Sequence, residues 1–135
     1  MGGAAIRILL VEDDPDLARR LSDGLRGDGF VVEHAADGRT GFDLGRTEDY
    51  DAAILDLGLP DMKGVDVLGQ WRKLGREMPV LILTARGSWT EKVEGLNAGA
   101  DDYITTPSHV QEIAGRLSGP IRRPDCKSST MTVQN

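Results

Sequence analysis

The sequence predicts an α/β fold, in which five strands alternate with five helices around a largely parallel sheet. Short apolar runs rich in β-branched residues recur along the chain, at residues 6–11, 30–34, 52–55, 80–83 and 103–104. Between these runs, apolar residues return every three or four positions, as at Leu17, Leu21 and Leu25. Alternation between the strand period and the helix period is typical of successive βα units.

The helices differ in how clearly their ends are marked. Asp14 can cap the first helix, Pro15 suits its first turn, and Gly27 is expected to end it. The second and last helices contain glycines, each of which costs roughly 1 kcal/mol relative to alanine, so both helices are expected to be weaker. These glycines are Gly41 and Gly45 in the second helix, and Gly115 and Gly119 in the last.

Length and charge narrow the class of protein. The 135 residues fit one domain, which we place at residues 1–123, and residues 124–135 are expected to be a disordered tail or the stub of a linker. A net charge of −6 argues against direct contact with nucleic acid by this domain. The single cysteine, Cys126, excludes an intrachain disulfide and favours a cytoplasmic location. We find no signal peptide and no membrane segment.

Acidic residues follow two of the predicted strands. The first strand leads into Glu12 and Asp13, the third into Asp56, and the fourth into Thr84. Because ligands of doubly wound sheets bind at the carboxyl ends of the strands, these side chains are expected to converge on one pocket. Clustered carboxylates repel one another, and a few oxygen ligands suit Mg²⁺. The pattern therefore predicts a magnesium site with an aspartate nucleophile for phosphoryl transfer.

Each motif alone has an ordinary structural explanation. The acidic pair could simply cap a helix in a solvated turn, and "LDLGLPD" could be a strand followed by a turn. Another possibility is a phosphatase with an aspartate nucleophile, but its Asp-x-Asp motif would follow the first strand and leave Asp56 unexplained. Only the combination of motifs at three strand ends favours a functional site.

Four stretches together carry a resemblance to a known family: "ILLVEDDPDLA", "DAAILDLGLPDMKG", "PVLILTAR" and "GLNAGADDYI". The chain resembles the receiver domain of two-component response regulators, most closely the subgroup with winged-helix DNA-binding output domains. That resemblance implies a flavodoxin-like (CheY-like) fold with strand order 2-1-3-4-5. It also implies a signalling domain in transcription control rather than a turnover enzyme, catalysing only its own phosphotransfer and slow dephosphorylation.

The resemblance implies a role for each acid. Asp56 would receive a phosphoryl group from a histidine kinase. Asp13, Asp56 and the carbonyl oxygen of Gly58 would bind Mg²⁺, and Glu12 would hold a metal-bound water. Thr84 would donate a hydrogen bond to a phosphoryl oxygen.

The resemblance is incomplete after the fifth strand. Within that strand, Tyr103 would swing inward as the hydroxyl at the end of the fourth strand moves. After the strand, however, Thr106 stands where the family carries a lysine. A charge-assisted hydrogen bond is worth roughly 1.5–3 kcal/mol, and a hydroxyl recovers little of it. We expect Asp56 still to accept phosphate with weaker coupling to the surface. Two alternatives stay open: a receiver-like interaction module uncoupled from phosphate, and sequence variation at Thr106 and Ser108 without functional meaning.

A set of charged residues resembles the homodimer interface of the winged-helix subgroup, which is formed by the fourth helix, fifth strand and fifth helix. The set comprises Lys92, Asp101, Asp102, Glu112, Arg116 and Arg123. The resemblance implies salt bridges across a two-fold axis, pairing Lys92 with Glu112, Asp102 with Arg116, and Asp101 with Arg123. Alternatively, these are ordinary solvated charges, each worth under about 1 kcal/mol.

Overall fold

The computed structural model of the chain describes residues 5–85, 89–106 and 109–118. The strands are β1 (Arg7–Val11), β2 (Val31–Ala35), β3 (Ala52–Asp56), β4 (Val80–Ala85) and β5 (Asp102–Thr106). The helices are α1 (Pro15–Gly27), α2 (Gly38–Thr47), α3 (Gly64–Lys73), α4 (Trp89–Ala98) and α5 (Val110–Ser118). Strands and helices alternate throughout, as the sequence predicts.

All five strands form one parallel sheet in the order β2-β1-β3-β4-β5. This confirms the predicted flavodoxin-like fold. Strand boundaries differ from prediction by a few residues, most of all in β5, which runs on through polar residues to Thr106. That extension follows from backbone pairing with β4, where Ala85 lies opposite Thr106, and backbone pairing leaves no hydrophobic pattern in the sequence.

Two apolar layers cover the sheet. Alternate residues of the strands, such as Ile8 and Leu10 of β1, pack with α1 and α5 on one face. The intervening residues, such as Leu9 and Val11, pack on the other face beside α3 and its fully buried Trp71. Because both faces are covered, the strands are nearly continuous hydrophobic runs, as buried parallel strands usually are.

The start and end of α1 agree with prediction. Asp14 accepts hydrogen bonds from Asp16 N at 3.0 Å and from Leu17 N at 3.3 Å. The helix ends at Gly27, and the left-handed turn that follows lies at Gly29, with φ of 96°. A positive φ is tolerated there because glycine has no Cβ.

The glycines of α2 have a packing role that helix propensity does not reveal. A Cβ on Gly41 would lie 2.7 Å from both methyl groups of Val11, and one on Gly45 would lie 2.3 Å from the Trp71 indole. The helix can approach β1 and α3 only because these side chains are missing. Gly115 in α5, in contrast, has no atom of the described residues within 4 Å of an added Cβ.

Several predictions fall on residues that the structure does not describe. These include Ser108, Gly119, Arg123 and the tail at 124–135, so the domain boundary at residue 123 stays a prediction. Within the described ranges, none of the helices has the length and apolar character needed to span a bilayer.

Candidate functional site

The acids at the ends of β1 and β3 meet. Val11 lies opposite Leu55 in the parallel ladder, so the residues that follow leave the sheet side by side. One carboxylate oxygen from each of Glu12, Asp13 and Asp56 lies within 4.8 Å of the others. The predicted meeting of the three carboxylates is confirmed, and it follows from the strand order rather than from sequence proximity.

Glu12 is the buried member of this cluster. Its side chain is almost fully enclosed, with 1% of the residue exposed. Its Oε2 accepts a hydrogen bond from Asp14 N at 3.0 Å, whereas its Oε1 has no hydrogen-bond partner among the described residues. A buried polar oxygen without a partner is costly and points to a missing ligand.

The protonation of Glu12 reflects this environment. Burial raises the pKa of Glu12 to about 8, and the neighbouring carboxyl group of Asp56 adds to the rise. The Asp14 N–H bond lowers the pKa, and the nearby Asp13 raises it further. Ionised Glu12 is therefore unfavourable near neutral pH unless positive charge enters the cluster.

The donor set fits a divalent cation. Its candidate ligand atoms are all oxygens, and the buried Oε1 of Glu12 has no hydrogen-bond partner within the described part of the chain. Asp13 is exposed and Asp56 is partly exposed, so water can also reach the cluster. Few carboxylates with access to water are the arrangement that Mg²⁺ favours. Glu12, Asp13 and Asp56 could therefore hold Mg²⁺.

The loop after β3 is packed closely around Asp56. Gly58 N donates a hydrogen bond to Asp56 Oδ1 at 2.9 Å, which places Gly58 beside the acid. A Cβ on Gly64 would lie 2.5 Å from the Asp56 carbonyl oxygen. The loop thus returns against its own strand at Gly64, a contact that has no signal in the sequence. The role of the Gly58 carbonyl oxygen as a metal ligand stays a prediction.

His34, which lies within the predicted second strand, also contributes to the site. Its Nε2 lies 2.7 Å from the Glu12 carbonyl oxygen. Since a carbonyl oxygen only accepts, Nε2 carries the proton in this hydrogen bond. The bond supports the backbone of β1 where the acids begin. A histidine in the edge strand, 22 positions away, carries no local sequence signal for this contact.

Thr84 and Tyr103 lie on the same face of the sheet. Thr84 is buried at the end of β4, one residue beyond Leu83, the partner of Asp56 in the ladder. Tyr103 lies opposite Ile82 and packs on the same apolar layer. Side chains two residues apart on a strand share a face, so the two residues are diagonal neighbours. Their predicted roles in phosphate binding and signal transmission remain untested.

Thr106, the residue in the family's lysine position, ends β5 opposite Ala85. Its side chain lies outside the described part of the structure, as do Pro107 and Ser108. The consequence of the missing lysine therefore stays a prediction.

Four of the six predicted dimer-interface residues have described side chains, and these make contacts within the chain. Arg116 Nη1 lies 2.9 Å from Asp102 Oδ1 and 3.0 Å from its Oδ2, and Arg116 also lies 3.6 Å from Glu112. Hydrogen bonding to Asp102 raises the pKa of Arg116 further above its already high value. Asp101 accepts a hydrogen bond from Val80 N at 2.8 Å. The side chain of Lys92 and all of Arg123 lie outside the described residues.

The fold and the acidic site together define a class of protein. A doubly wound parallel sheet in the order 2-1-3-4-5 places its ligand site at the carboxyl ends of β1 and β3. The chain is thus a flavodoxin-like domain with three carboxylates at that site.

The family follows from comparison with known proteins. The model of the response regulator receiver domain matches residues 8–118, and the chain belongs to this family. It is 48% identical over 118 residues to the transcriptional regulatory protein QseB of Haemophilus influenzae, covering 87% of this chain and 53% of that protein. It is 43% identical over 120 residues to the two-component response regulator PhoP of Pseudomonas aeruginosa, covering 87% and 52%. The chain spans about half the length of the curated relatives it matches.

Solved structures agree with this assignment. A CheY-like receiver domain from Methanospirillum hungatei matches with a TM-score of 0.86 and 30% identity, covering 92% of this chain and 99% of that one. The receiver domain of a sensor histidine kinase from Pseudomonas aeruginosa matches with a TM-score of 0.81 and 31% identity, covering 89% and 100%. That second structure has a magnesium ion coordinated in its active site cleft.

Proposed function

We propose that this domain accepts a phosphoryl group from a histidine kinase on Asp56, with Mg²⁺ as cofactor, and thereby switches a dimerisation surface. The observation that carries the proposal is the meeting of Glu12, Asp13 and Asp56, with oxygens within 4.8 Å of one another. One of these acids must be free to react with phosphorus, while the cluster as a whole binds the cation. Asp56 suits the reactive role because it is partly exposed, whereas Glu12 is buried.

The proposed transfer is a substitution at phosphorus. A carboxylate oxygen of Asp56 attacks, the phosphorus–nitrogen bond to the kinase histidine breaks, and an acyl phosphate forms. The departing imidazole keeps the electron pair of the broken bond and takes up a proton from solvent. When bound, Mg²⁺ supplies positive charge that offsets the carboxylates and the phosphoryl oxygens.

The surrounding residues of the chain orient the nucleophile. The hydrogen bond from Gly58 N occupies Asp56 Oδ1, so we propose Oδ2 as the attacking oxygen. Asp13, Asp56 and the Gly58 carbonyl oxygen would hold the cation, and Glu12 would hold a water bound to it. The Thr84 hydroxyl donates to the new phosphoryl group, and Tyr103 on the same face responds to that movement.

The output of the domain is proposed from its relatives. QseB of Haemophilus influenzae is a transcriptional regulatory protein, and this chain matches about half of it. We propose that the whole protein controls transcription through a winged-helix domain and that α4, β5 and α5 form a homodimer interface. We expect the protein to be located in the cytoplasm, because we propose that it receives its phosphoryl group from a histidine kinase.

The central experiment measures phosphorylation directly. The protein is incubated with acetyl phosphate and MgCl₂, and its intact mass is recorded beside those of Asp56→Asn and Asp66→Asn. Asp66 is an exposed acid in the first turn of α3 and serves as the matched control. We expect one phosphoryl group on the parent and on the control, and none on Asp56→Asn. Equal phosphorylation of all three proteins would refute Asp56 as the acceptor.

A second candidate function is an interaction module that no longer responds to phosphate. The observation that favours it is Thr106 at the family's lysine position. Such a module would accept the phosphoryl group on Asp56 without changing its self-association. Sedimentation velocity of phosphorylated and unphosphorylated protein separates the two functions, because only the switch predicts a shift towards dimer.

A further inference from the structure

A carboxylate in the loop after β3 is bound to the start of a helix that is distant in the sequence. Asp61 Oδ1 accepts a hydrogen bond from Gly38 N at 2.7 Å, and Asp61 Oδ2 accepts one from Arg39 N at 3.0 Å. Gly38 and Arg39 form the first turn of α2. The loop that carries Gly58 is therefore fastened to α2 by two hydrogen bonds to an ionised side chain.

Two acids share the start of α2. The first N–H groups of a helix have no partner within the helix and need one elsewhere. Asp37, the N-cap, accepts from Thr40 N at 2.7 Å through its side chain and from Gly41 N at 3.1 Å through its carbonyl oxygen. Asp61 satisfies the two N–H groups before these. Both acids stabilise the helix, but Asp61 alone of the two belongs to the β3–α3 loop.

The loop and the helix start are also in direct contact. A Cβ on Gly38 would lie 2.9 Å from Met62 Cβ and 3.0 Å from Asp61 Oδ1, so no larger residue fits between them. The hydrogen bond from Gly38 N holds the pKa of Asp61 below its ordinary value, so the ionised carboxylate is favoured at this position. A negative charge at a helix N-terminus is also favoured by the helix dipole.

This connection fixes the two halves of the acidic site, the end of β1 and the loop after β3, relative to each other. The methyl groups of Val11 fill the space beside Gly41, so α2 packs on the end of the strand that leads into Glu12. The ladder between β3 and β4 ends at Asp56, and Gly58 lies beyond it. Through Asp61, the loop is therefore attached to a helix that is itself seated on β1.

We propose that Asp61 is a positioning residue of the acceptor site, one that keeps the backbone at Gly58 in a fixed place relative to Glu12 and Asp13. This inference rests on the proposed function. Asp61 touches neither the cation nor the phosphoryl group and acts through the loop. Releasing the loop leaves the three carboxylates in place and adds an ordering cost to cation binding.

The test compares Mg²⁺ affinity in the parent, Asp61→Ala, Asp61→Asn and Asp37→Ala by isothermal titration calorimetry. Asp37→Ala is the matched control, because it weakens the same helix start without releasing the loop. We expect Asp61→Ala to weaken Mg²⁺ binding about tenfold, the equivalent of ~1.4 kcal/mol. Asparagine retains one acceptor oxygen, so Asp61→Asn is expected to fall between Asp61→Ala and the parent. Asp37→Ala is expected to bind as the parent does.

A kinetic readout separates positioning from loss of fold. The rate of phosphorylation by acetyl phosphate is measured against MgCl₂ concentration, and Asp61→Ala is expected to need more Mg²⁺ while reaching the same limiting rate. Equal Mg²⁺ affinity in Asp61→Ala and Asp37→Ala, whether both retained or both weakened, overturns the proposal. If Asp61→Ala does not fold, Asp61→Asn decides, and parental affinity in that variant also overturns it.

The outcome for the parent distinguishes this inference from the proposed function. A parent that binds no Mg²⁺ and gains no phosphoryl group contradicts the proposed function itself. A parent that does both, beside an Asp61→Ala variant of equal affinity, contradicts only the role of Asp61.

Discussion

Charge is arranged in opposite ways in two regions of this domain. One region, which we call the acceptor side after its proposed role, is formed by the ends of β1 and β3 and gathers Glu12, Asp13 and Asp56. No basic side chain pairs with them in the part of the chain that the structure describes. The other region, which we call the output side after its proposed role, is formed by α4, β5 and α5, and there Asp102 lies 2.9 Å from Arg116. Like charges are held together in one region, and opposite charges are matched in the other.

This difference identifies the region that needs a ligand. A cluster of like charges around a buried oxygen is stabilised by an added cation. Exposed charges that already have partners gain little from a second partner, because such pairs are worth about 0–1 kcal/mol each. The acceptor side is therefore expected to respond strongly to Mg²⁺ and pH, and the output side weakly to either.

Packing also differs between α2 and α5, and this contrast gives the largest predicted effect. Gly45→Ala places a methyl group 2.3 Å from the Trp71 indole, and overpacking of this kind costs about 1–3 kcal/mol. Gly115→Ala in α5 has open space and is expected to raise stability by roughly 0.5–1 kcal/mol through helix propensity. Urea denaturation of both variants checks the contrast, and equal midpoints would show that α2 can move away from α3.

The pH dependence of stability tests the charge on the acceptor side. The pKa of Glu12 rises from 4.5 to about 8 on folding, so between these values the folded state binds more protons than the unfolded state. Without Mg²⁺, the contribution of Glu12 to the free energy of unfolding is therefore largest below pH 4.5 and falls as the pH rises towards 8. We expect a fall on the order of 2 kcal/mol between pH 5 and pH 7 from this group.

Glu12→Gln is the control for that experiment, because glutamine keeps the shape and cannot ionise. Its stability should be flatter between pH 5 and pH 7, and urea midpoints at several pH values measure this. Saturating Mg²⁺ should flatten the curve of the parent as well, since the cation favours ionised Glu12. A parent curve as flat as that of Glu12→Gln would show that Glu12 is ionised in the folded protein at pH 7.

Thr106→Lys tests whether the two regions are coupled. A lysine restores a charge-assisted hydrogen bond to the phosphoryl group, and phosphorylation should then favour the dimer about tenfold more than in the parent, or ~1.4 kcal/mol. Sedimentation velocity with and without acetyl phosphate measures the change, and Thr106→Gln serves as an uncharged control of similar length. Equal phosphorylation-dependent association in all three proteins would exclude Thr106 as the cause of weak coupling.

The smallest effect is expected from exchanging the charges of Asp102 and Arg116. This experiment distinguishes pairing within one chain from pairing between two chains. Exchanging both charges in one chain, with Asp102→Arg and Arg116→Asp together, restores either kind of pair. Mixing the two single variants restores only pairs between chains, because each chain alone then carries two like charges. If the interface pair forms, the phosphorylated mixture should dimerise more than either variant alone, by under about 1 kcal/mol for each pair. No gain on mixing would mean that the pair in the monomer persists.

The order of residues along the chain was enough to predict the architecture and where the acidic residues of the site meet. Five buried strands leave continuous apolar runs, and the α1 cap at Asp14 is a local signal with a local cause. The acids follow their strands directly, so parallel pairing alone implies that they meet. The sequence showed the glycines of α2 only as a cost to helix stability. The side chains that need their space, Val11 at Gly41 and Trp71 at Gly45, lie 26 positions or more away.

The sequence by itself determined the strand pattern, the family and the convergence of Glu12, Asp13 and Asp56, since hydrophobic period and strand ends are local properties. Only the tertiary structure decided that His34 supports β1, that Asp61 caps α2, and that Asp102 pairs within its own chain. These contacts join residues far apart in sequence through single polar atoms. A polar side chain carries no periodic signal for its partner, so only the folded geometry identifies it.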